Sequence, residues 1–402
     1  MLRLRRTSRK LFGGDRALDR DTEPVIRHKS TPARRARRLF SRRTASEPDL
    51  GRASKNGMAD TISKAFEAIS EGDLPQVSEK WTYMSQAKSL DLMKTRASQV
   101  KPFVENALRK RPIGLALEFR QMKRYNDFTK MKAFLKFNKI GKNRYKDVGC
   151  LDSSRVEITF GPCSYIHANY VSTPKNPKKF ICTQAPLKAT CSEFWCMIVQ
   201  EQTEVILMLC NFIEQKSSKC ANYYPLEEND SLSFEDNVNV VNKGREEFTF
   251  PFDTKIKIEV TNLEVTVEGH PPRSVKHYHW VDWPDRGVPP ADLAPMYLLY
   301  KMEEIKTPIV IHCSAGIGRT GCMVLIQTAM DTLQEGRELE DMGKYLKAVR
   351  TQRNNSIQND QQYLFVHQVL LNFLRIGGWL PKTLDPHLQS FTEEYTKMTR
   401  GF

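Results

Sequence analysis

The segment that most constrains the fold lies at residues 310–321 and reads VIHCSAGIGRTG. Its apolar start follows Pro308 and is typical of a strand buried on both faces of a sheet. Apolar residues at helical spacing resume at once over residues 320–334. Two glycines between these elements allow a tight turn. The sequence therefore predicts a short loop that joins a buried strand to a helix.

This phosphate loop, residues 314–318, has the properties of an anion-binding site. Successive backbone N–H groups in such a turn point into one concavity, and the following helix adds its positive N-terminal end. Arg319 can close the concavity with a planar, bidentate fork. We therefore expect a tetrahedral dianion to bind here, against Ser314, Ala315, Gly316, Ile317 and Gly318.

Cys313 lies at the base of the predicted concavity. The positive potential there favours thiolate over thiol, and a thiolate that faces a bound phosphoryl group is an in-line nucleophile. We expect His312 to support the loop from behind. Thr320 is expected to donate its hydroxyl to the sulfur and so ease the later departure of that sulfur.

The remaining patterns indicate an α/β (α+β) fold. Residues 204–210 begin with Glu204 and continue as an unbroken apolar run, as in a central strand, and residues 255–267 alternate between apolar and polar side chains. Helical spacing follows over residues 339–351 and 360–374. The sequence predicts a single large domain with a central, twisted, mixed β-sheet flanked by helices.

Composition divides the 402 residues into four parts. Residues 1–60 hold 17 Lys and Arg against 7 Asp and Glu and have few aromatic side chains, so we expect a basic disordered segment. Residues 61–99 show loose helical spacing and are predicted to be a helical extension. Residues 100–380 form the predicted catalytic domain, and residues 381–402 the predicted polar tail.

Several classes of protein are disfavoured by charge, hydropathy and cysteine content. The net charge of +15 comes mainly from the N-terminal segment, which argues against a folded domain that binds nucleic acid. No apolar run has the length of a transmembrane segment. The nine cysteines are odd in number and follow no apolar signal segment, so reduced thiols in the cytoplasm are expected.

The string at residues 312–321 resembles the motif of the tyrosine-specific, cysteine-dependent protein phosphatases, and the resemblance extends over residues 100–376. It indicates a non-receptor member that hydrolyses phosphotyrosine on proteins through a phosphocysteine intermediate, with a role in signal transduction. The resemblance implies no metal and no organic cofactor, because the loop and Arg319 supply the charge stabilisation. Phosphotyrosine-containing proteins are the expected partners.

A second motif, WPDRGVP at residues 283–289, resembles the family's mobile loop, here called the acid loop. The resemblance assigns Asp285 as the general acid of the first step and the general base of the second. Asp282 is the rival carboxylate, but Asp285 is the one that follows Trp-Pro directly.

The recognition loop, KNRYKDV at residues 142–148, resembles the family segment that contacts phosphotyrosine. The resemblance implies that Tyr145 stacks on the substrate ring and sets the depth of the cleft, so that phosphoserine and phosphothreonine fall short. Asp147 would accept N–H bonds from the substrate backbone.

The glutamine loop, SIQNDQQ at residues 356–362, resembles the segment that positions water in the family. By resemblance, Gln358 orients the hydrolytic water and Gln362 assists. A further match around residues 214–220 implies that Lys219 contacts Asp285, while Glu214 holds the fork of Arg319.

The sequence also departs from the family pattern. His167 stands where Asn is usual, and Tyr224 stands where Trp is usual. Neither change removes a group that carries out the chemistry, so the departures concern the scaffold.

Two alternative functions stay open from the sequence. A catalytically silent module that binds phosphotyrosine is one, although Cys313, Arg319 and Asp285 are all retained. A dual-specificity phosphatase is the other, although the loop around Tyr145 favours a deep cleft.

The N-terminal segment carries two strings of the form Arg-x-x-Ser-x-Pro. If Ser30 and Ser46 were phosphorylated, both strings would resemble docking motifs for 14-3-3 adaptors. The basic run at residues 34–38 is also compatible with nuclear import or with association at a membrane surface.

Overall fold

The computed structural model describes residues 52–73 and 90–400, and these residues belong to one compact unit. Its helices are Arg52–Glu67 (α1), Leu90–Gln121 (α2), Lys132–Asn138 (α3), Cys191–Gln200 (α4), Ala294–Lys301 (α5), Arg319–Gln334 (α6), Met342–Arg350 (α7), Asp360–Ile376 (α8) and Asp385–Thr399 (α9). Among the helices of this described part, none combines the length and the apolar character that crossing a bilayer requires.

The strands are Arg155–Glu157 (β1), Tyr165–Val171 (β2), Phe180–Gln184 (β3), Val205–Met208 (β4), Ile213–Glu214 (β5), Ser217–Ser218 (β6), Ser231–Phe234 (β7), Val238–Glu246 (β8), Lys257–Val267 (β9), Arg273–Val281 (β10) and Ile309–Cys313 (β11). Nine of them form one sheet in the order β1-β2-β3-β11-β4-β10-β9-β8-β7, and β5 pairs with β6. The strands from β3 to β10 in this order are parallel, and the outer pairs are antiparallel. The predicted mixed sheet is confirmed.

The centre of the sheet places the phosphate loop. Strand β11 lies between β3 and β4, and all its residues are buried, as the apolar sequence requires. Helix α6 begins at Arg319 and is buried as far as Leu333. The loop that joins them therefore lies at the carboxyl edge of a parallel sheet, the position where open α/β sheets bind ligands.

The C-terminal region differs from the polar tail expected after residue 380. Helix α9 covers Asp385–Thr399 and packs against α2 and α8. Its buried side chains are Leu388, Phe391 and Tyr395, spaced by three and four residues, and so they form one apolar stripe among polar neighbours. The short stripe gives little signal in overall composition, but it is enough to hold the helix on the core.

The N-terminal helices also depart from the predicted boundaries. Helix α2 runs through residue 100 without a break, although its backbone is kinked at Arg111, just before Pro112. Side chains of α1, including Ile62 and Phe66, belong to the same buried cluster as the centre of the domain. Residues 1–51, with Ser30 and Ser46, lie outside the described residues, so the disordered segment stays a prediction.

Candidate active site

The phosphate loop depends on a glycine at its centre. Gly316 has a φ of +69°, and a Cβ there would lie 2.0 Å from the backbone oxygen of Thr183 on the neighbouring strand. Both this conformation and this close approach disfavour a residue with a Cβ. As a result, the Gly316 N–H points back into the loop and donates to Cys313 Sγ at 3.2 Å.

A second glycine brings the glutamine loop close to the phosphate loop. Gly318 caps α6, and a Cβ there would lie 2.3 Å from Gln358 Oε1 and 2.9 Å from Gln362 Nε2. Without a side chain at this position, both glutamines approach the start of the helix. The sequence motif therefore creates space as well as backbone donors.

Arg319 is buried, and its guanidinium is held on two sides. It donates to both carboxylate oxygens of Glu214 and to Leu209 O at 2.8 Å. Burial opposes the charge, but the hydrogen bonds to Glu214 and the nearby Cys313 outweigh it and raise the Arg319 pKa further. The fork is thus fixed as a cation at the edge of the loop.

The acid loop brings Asp285 to the same place. Lys219 donates to Asp285 Oδ2 at 2.8 Å, and Arg319 donates to Asp285 Oδ1 at 3.2 Å. Burial alone would raise the Asp285 pKa, but the bond from Lys219 and the charge of Arg319 more than offset it, so the net shift is downward. The rival Asp282 is exposed and accepts a bond from Asn211.

Two contacts hold the acid loop in this position. The buried Trp283 packs against Trp280 and donates to Gly287 O at 3.4 Å. The side chain of Asn359 in the glutamine loop donates to Arg286 O at 2.6 Å. A buried tryptophan and a hydrogen bond to the glutamine loop thus both hold the acid loop.

The recognition loop forms one wall of the cleft. Tyr145 Oη lies 2.8 Å from Ser314 Oγ, and its half-buried ring packs against Val148, Ala315 and Ile317. Asp147 is exposed beside it and also lines the cleft. The aromatic ring of Tyr145 therefore borders the phosphate loop.

The glutamine loop also contributes to the cleft. Gln358 lines the cleft, and its backbone N–H donates to Gln362 Oε1 at 2.9 Å. Gln362 is fully buried, and its Nε2 has no partner among the described residues. Asn359 accepts a bond from the Gln362 N–H at 3.0 Å and so caps α8.

His312 and Thr320 lie on either side of Cys313 in the loop region. His312 Nδ1 donates to Cys313 O at 3.4 Å, so its Nε2 accepts from Tyr223 Oη at 2.8 Å. Burial lowers the His312 pKa to about 3, which keeps the ring neutral. The Thr320 hydroxyl is buried with no partner in the part of the chain described, so the predicted bond to the sulfur is not formed in this structure.

These elements enclose a cavity of about 110 Å³, small enough to suit a single phosphoryl group at its base. Its lining side chains are Tyr145, Asp147, Val148, Lys219, Asp285, Arg286, Cys313, Ser314, Ala315, Arg319 and Gln358. Four residues predicted for substrate contact are not among these lining side chains. Gly316, Ile317 and Gly318 form the phosphate loop itself, and Gln362 lies next to Gly318.

The sequence profile described as "Protein-tyrosine phosphatase" matches residues 139–372, more than half of the chain. This chain belongs to the protein-tyrosine phosphatase family. The phosphatase domain thus accounts for all the loops that line the cavity, and the family predicted from the sequence is confirmed.

Relatives within the family include receptor and non-receptor types. The chain is 32% identical over 262 residues to the human "Receptor-type tyrosine-protein phosphatase zeta". This alignment covers 62% of the chain and 11% of that protein. It is 30% identical over 306 residues to the rat "Tyrosine-protein phosphatase non-receptor type 9". That alignment covers 71% of the chain and 50% of the relative. The chain thus spans between about a tenth and a half of these relatives.

A solved structure supports the fold. It is described as "Structural basis of PTPN18 fingerprint on distinct HER2 tyrosine phosphorylation sites" and matches with a TM-score of 0.54 and 27% identity. The match covers 60% of this chain and 86% of that chain. The phosphatase fold is therefore shared beyond the local motif.

Two residues at this site, Tyr223 and Arg286, were not predicted from the sequence. Tyr223 Oη lies 2.6 Å from His277 Nε2 on β10 and 2.8 Å from His312 Nε2 on β11. It therefore links these two strands to the segment that carries Tyr223. Arg286 lines the cleft as a cation next to Asp285. The contacts of Tyr223 match no local sequence motif, because its partners are distant in sequence. Arg286 could have been found, since it lies inside the acid loop.

Proposed function

We propose that this chain is an enzyme, a protein tyrosine phosphatase that hydrolyses phosphotyrosine on proteins through a phosphocysteine intermediate. One observation carries the proposal: Cys313, Arg319 and Asp285 line the same small cavity. A nucleophile, an anion-binding group and a proton donor are what cleavage of a phosphate monoester requires. Membership of the family supports the same reaction.

In the first step, the thiolate of Cys313 attacks phosphorus. The S–P bond forms while the bond from phosphorus to the tyrosyl oxygen breaks, and the electron pair leaves with that oxygen. The Arg319 fork and the N–H groups of the phosphate loop bind the equatorial oxygens of the phosphoryl group. The carboxylic acid of Asp285 gives its proton to the departing phenolate.

In the second step, water attacks the phosphocysteine. Gln358 borders the cavity next to Gly318, and in this proposal its side chain orients that water. The carboxylate of Asp285 takes the proton of the water, the S–P bond breaks, and inorganic phosphate leaves with the thiolate restored. With water as the co-reactant, the groups of this chain balance the two steps.

The charge around Asp285 determines when it can act as an acid. Lys219 and Arg319 hold its pKa low in this structure. A bound phosphoryl dianion adds negative charge beside the carboxylate and occupies the free side of Arg319, and both effects raise the pKa. Substrate binding therefore favours the protonated acid that the first step needs.

Cleft depth supports specificity for tyrosine. The half-buried ring of Tyr145, in contact with Ser314, forms a wall of the cleft. Cys313 is buried at its base. A phosphotyrosyl side chain reaches the sulfur, whereas the shorter phosphoseryl and phosphothreonyl side chains do not.

The proposal is tested by phosphate release from a phosphotyrosine peptide at mildly acidic pH. We expect the wild-type chain to be active and Cys313→Ser to lose at least about 10⁴-fold in kcat while it still binds the peptide. Cys163→Ser, which changes a cysteine outside the cavity, is the matched control and should keep full activity.

Two outcomes distinguish the alternatives. A wild-type chain that binds the peptide without releasing phosphate would indicate a binding module and overturn the proposal. Comparable kcat/KM values for phosphotyrosine and phosphothreonine peptides would indicate dual specificity and contradict the role of Tyr145.

We also propose a non-receptor type of phosphatase that acts in the cytoplasm, in signal transduction. All nine cysteines are free thiols, and the mechanism needs a reduced Cys313, so a reducing compartment suits the chemistry. The alignment with non-receptor type 9 over 71% of the chain supports this assignment. Docking of 14-3-3 adaptors at phosphorylated Ser30 and Ser46 remains a prediction outside the described residues.

A further inference from the structure

His167, one departure from the family pattern, is linked to the phosphate loop through Arg353. It lies on β2 and is buried, with 1% of its surface exposed. Both ring nitrogens have partners: Nε2 lies 2.8 Å from Val148 O, and Nδ1 lies 3.2 Å from both amino nitrogens of Arg353. The imidazole therefore connects two segments that belong to different parts of the site.

The partners fix the tautomer of the ring. A carbonyl oxygen can only accept, so Nε2 carries the hydrogen and donates it to Val148. A guanidinium can only donate, so Nδ1 keeps its lone pair and accepts from Arg353. Burial, together with the charge of Arg353, lowers the His167 pKa to about 3 and keeps this single neutral form.

Arg353 transmits the position of the ring to the phosphate loop. It is fully buried and donates to Gly316 O at 3.0 Å and to Ala315 O at 3.2 Å. These carbonyl groups fix the orientation of the adjoining peptide planes. One result is that the Gly316 N–H points at Cys313 Sγ.

Val148 transmits the position of the ring to the recognition loop. Its side chain packs with Tyr145, Ala315 and Ile317, and it directly follows Asp147. His167 itself cannot shift, because β2 pairs with β3 and Thr183 donates to His167 O at 3.0 Å. The ring is thus a fixed spacer between the two loops.

The residue usual at this position would make a different set of contacts. Asn has a donor and an acceptor on one carbon next to Cβ, whereas imidazole places its second nitrogen farther from the backbone. An Asn side chain can accept from Arg353 but is too short to reach Val148. The bond to the recognition loop is therefore a property that His167 gives to this chain.

We propose that His167 is a positioning residue that sets the spacing between the recognition loop and the phosphate loop, an inference that rests on the proposed function. It touches neither substrate nor the reacting atoms. It acts through Val148 on the contacts to the phosphotyrosyl peptide and through Arg353 on the phosphate-binding N–H groups.

Two variants test the hydrogen bonds of the two ring nitrogens separately. His167→Asn keeps the acceptor for Arg353 and loses the bond to Val148. We expect KM for a phosphotyrosine peptide to rise about tenfold, the effect of one lost hydrogen bond to a buried group, with kcat nearly unchanged. KM for a small aryl phosphate should rise less, since that substrate has no backbone to contact Asp147.

His167→Gln has the reach to donate to Val148 but loses the acceptor at the position of Nδ1. We expect kcat to fall about tenfold and alkylation of Cys313 by iodoacetate to slow, with KM for the peptide nearly unchanged. His270→Asn is the matched control, because His270 stacks on Phe160 away from the cavity, and its kinetics should equal those of the wild type.

The raised KM of His167→Asn and the slowed alkylation of Cys313 in folded His167→Gln distinguish positioning from mere stability. Loss of folded protein lowers kcat for every substrate and leaves KM unchanged, and the melting temperature of each variant reports it. Identical kinetics for both variants and the wild type, or parallel losses of kcat in both with KM unchanged, would overturn the inference. An inactive wild-type chain would instead overturn the proposed function.

Discussion

The phosphate loop and the acid loop meet at the same cavity but are held in different ways. The phosphate loop is buried between β11 and α6, and its carbonyl groups are bound by Arg353 from below. The acid loop is anchored by Trp283 and by one bond from Asn359, and its Asp285 is attracted by two cations. The first loop is buried throughout, whereas the second combines the buried Trp283 with a half-buried Asp285 and an exposed Arg286.

This difference matches the two tasks. A site for a dianion needs N–H groups and a guanidinium that do not reorganise when charge arrives, because preorganised dipoles stabilise it best. A proton donor must approach after the substrate enters and withdraw after it leaves, so a partly exposed loop suits it. The following predictions test whether the two loops respond to mutation as differently as their contacts indicate.

Asp285→Asn should lower kcat for a phosphotyrosine peptide about a thousandfold, since the departing phenolate loses its proton donor. An aryl phosphate with a strongly acidic phenol should be affected far less, because its leaving group needs no proton. Asp282→Asn is the control and should retain wild-type rates. Equal losses for the two Asp variants would contradict the assignment of the acid.

Arg319→Lys should lower kcat/KM about several hundredfold, because a lysine cannot replace the bidentate fork. Its inhibition constant for inorganic phosphate should rise in parallel. Arg375→Lys, at an exposed ion pair with Asp385, is the control. An unchanged affinity for phosphate in Arg319→Lys would show that the guanidinium does not bind the anion.

Gly316→Ala should destabilise the fold by about 3 kcal/mol, measured by denaturant unfolding, because both the positive φ and the contact with Thr183 O oppose a Cβ. Gly269→Ala is a close control, since Gly269 has a φ of +78° and a Cβ at that position would meet no other atom within 4 Å. It should cost only about 1 kcal/mol. Equal losses would show that the close approach does not matter.

Lys219→Met should shift the pH dependence of kcat. Lys219 contributes to the lowered pKa of Asp285, so its removal raises that pKa and moves the loss of the protonated acid to higher pH. The alkaline limb of the profile should therefore move upward, while Lys216→Met, at an exposed position of the same hairpin, leaves it in place. A downward shift would contradict the sign.

Asn359→Ala should have the smallest effect, a loss of about 1 kcal/mol in the free energy of unfolding, because α8 loses its cap. Asn359→Asp keeps the capping oxygen but loses the donor to Arg286 O. It should unfold like the wild type yet show a lower kcat. If Asn359→Asp kept the kcat of the wild type, the bond to the acid loop would have no role in placing it.

How much could be predicted from the sequence depended on the distance between partners along the chain. The strand, loop and helix at residues 310–321 depend on local pattern and on glycines, and they were found where expected. The pair of Glu214 and Arg319 joins residues 105 positions apart, and only the resemblance to a family indicated it. Helix α9 was expected to be a polar tail, because three apolar residues give a weak signal until a surface is present to receive them.

The amino-acid sequence by itself determined the phosphate loop, the identity of the groups around it and the mixed sheet. Tertiary structure alone decided which nitrogen of His167 carries its hydrogen, where Tyr223 bonds, and that the Thr320 hydroxyl has no partner among the described residues. The physical reason is that a turn depends on neighbouring backbone angles. A buried hydrogen bond depends on the atoms that distant segments bring within reach.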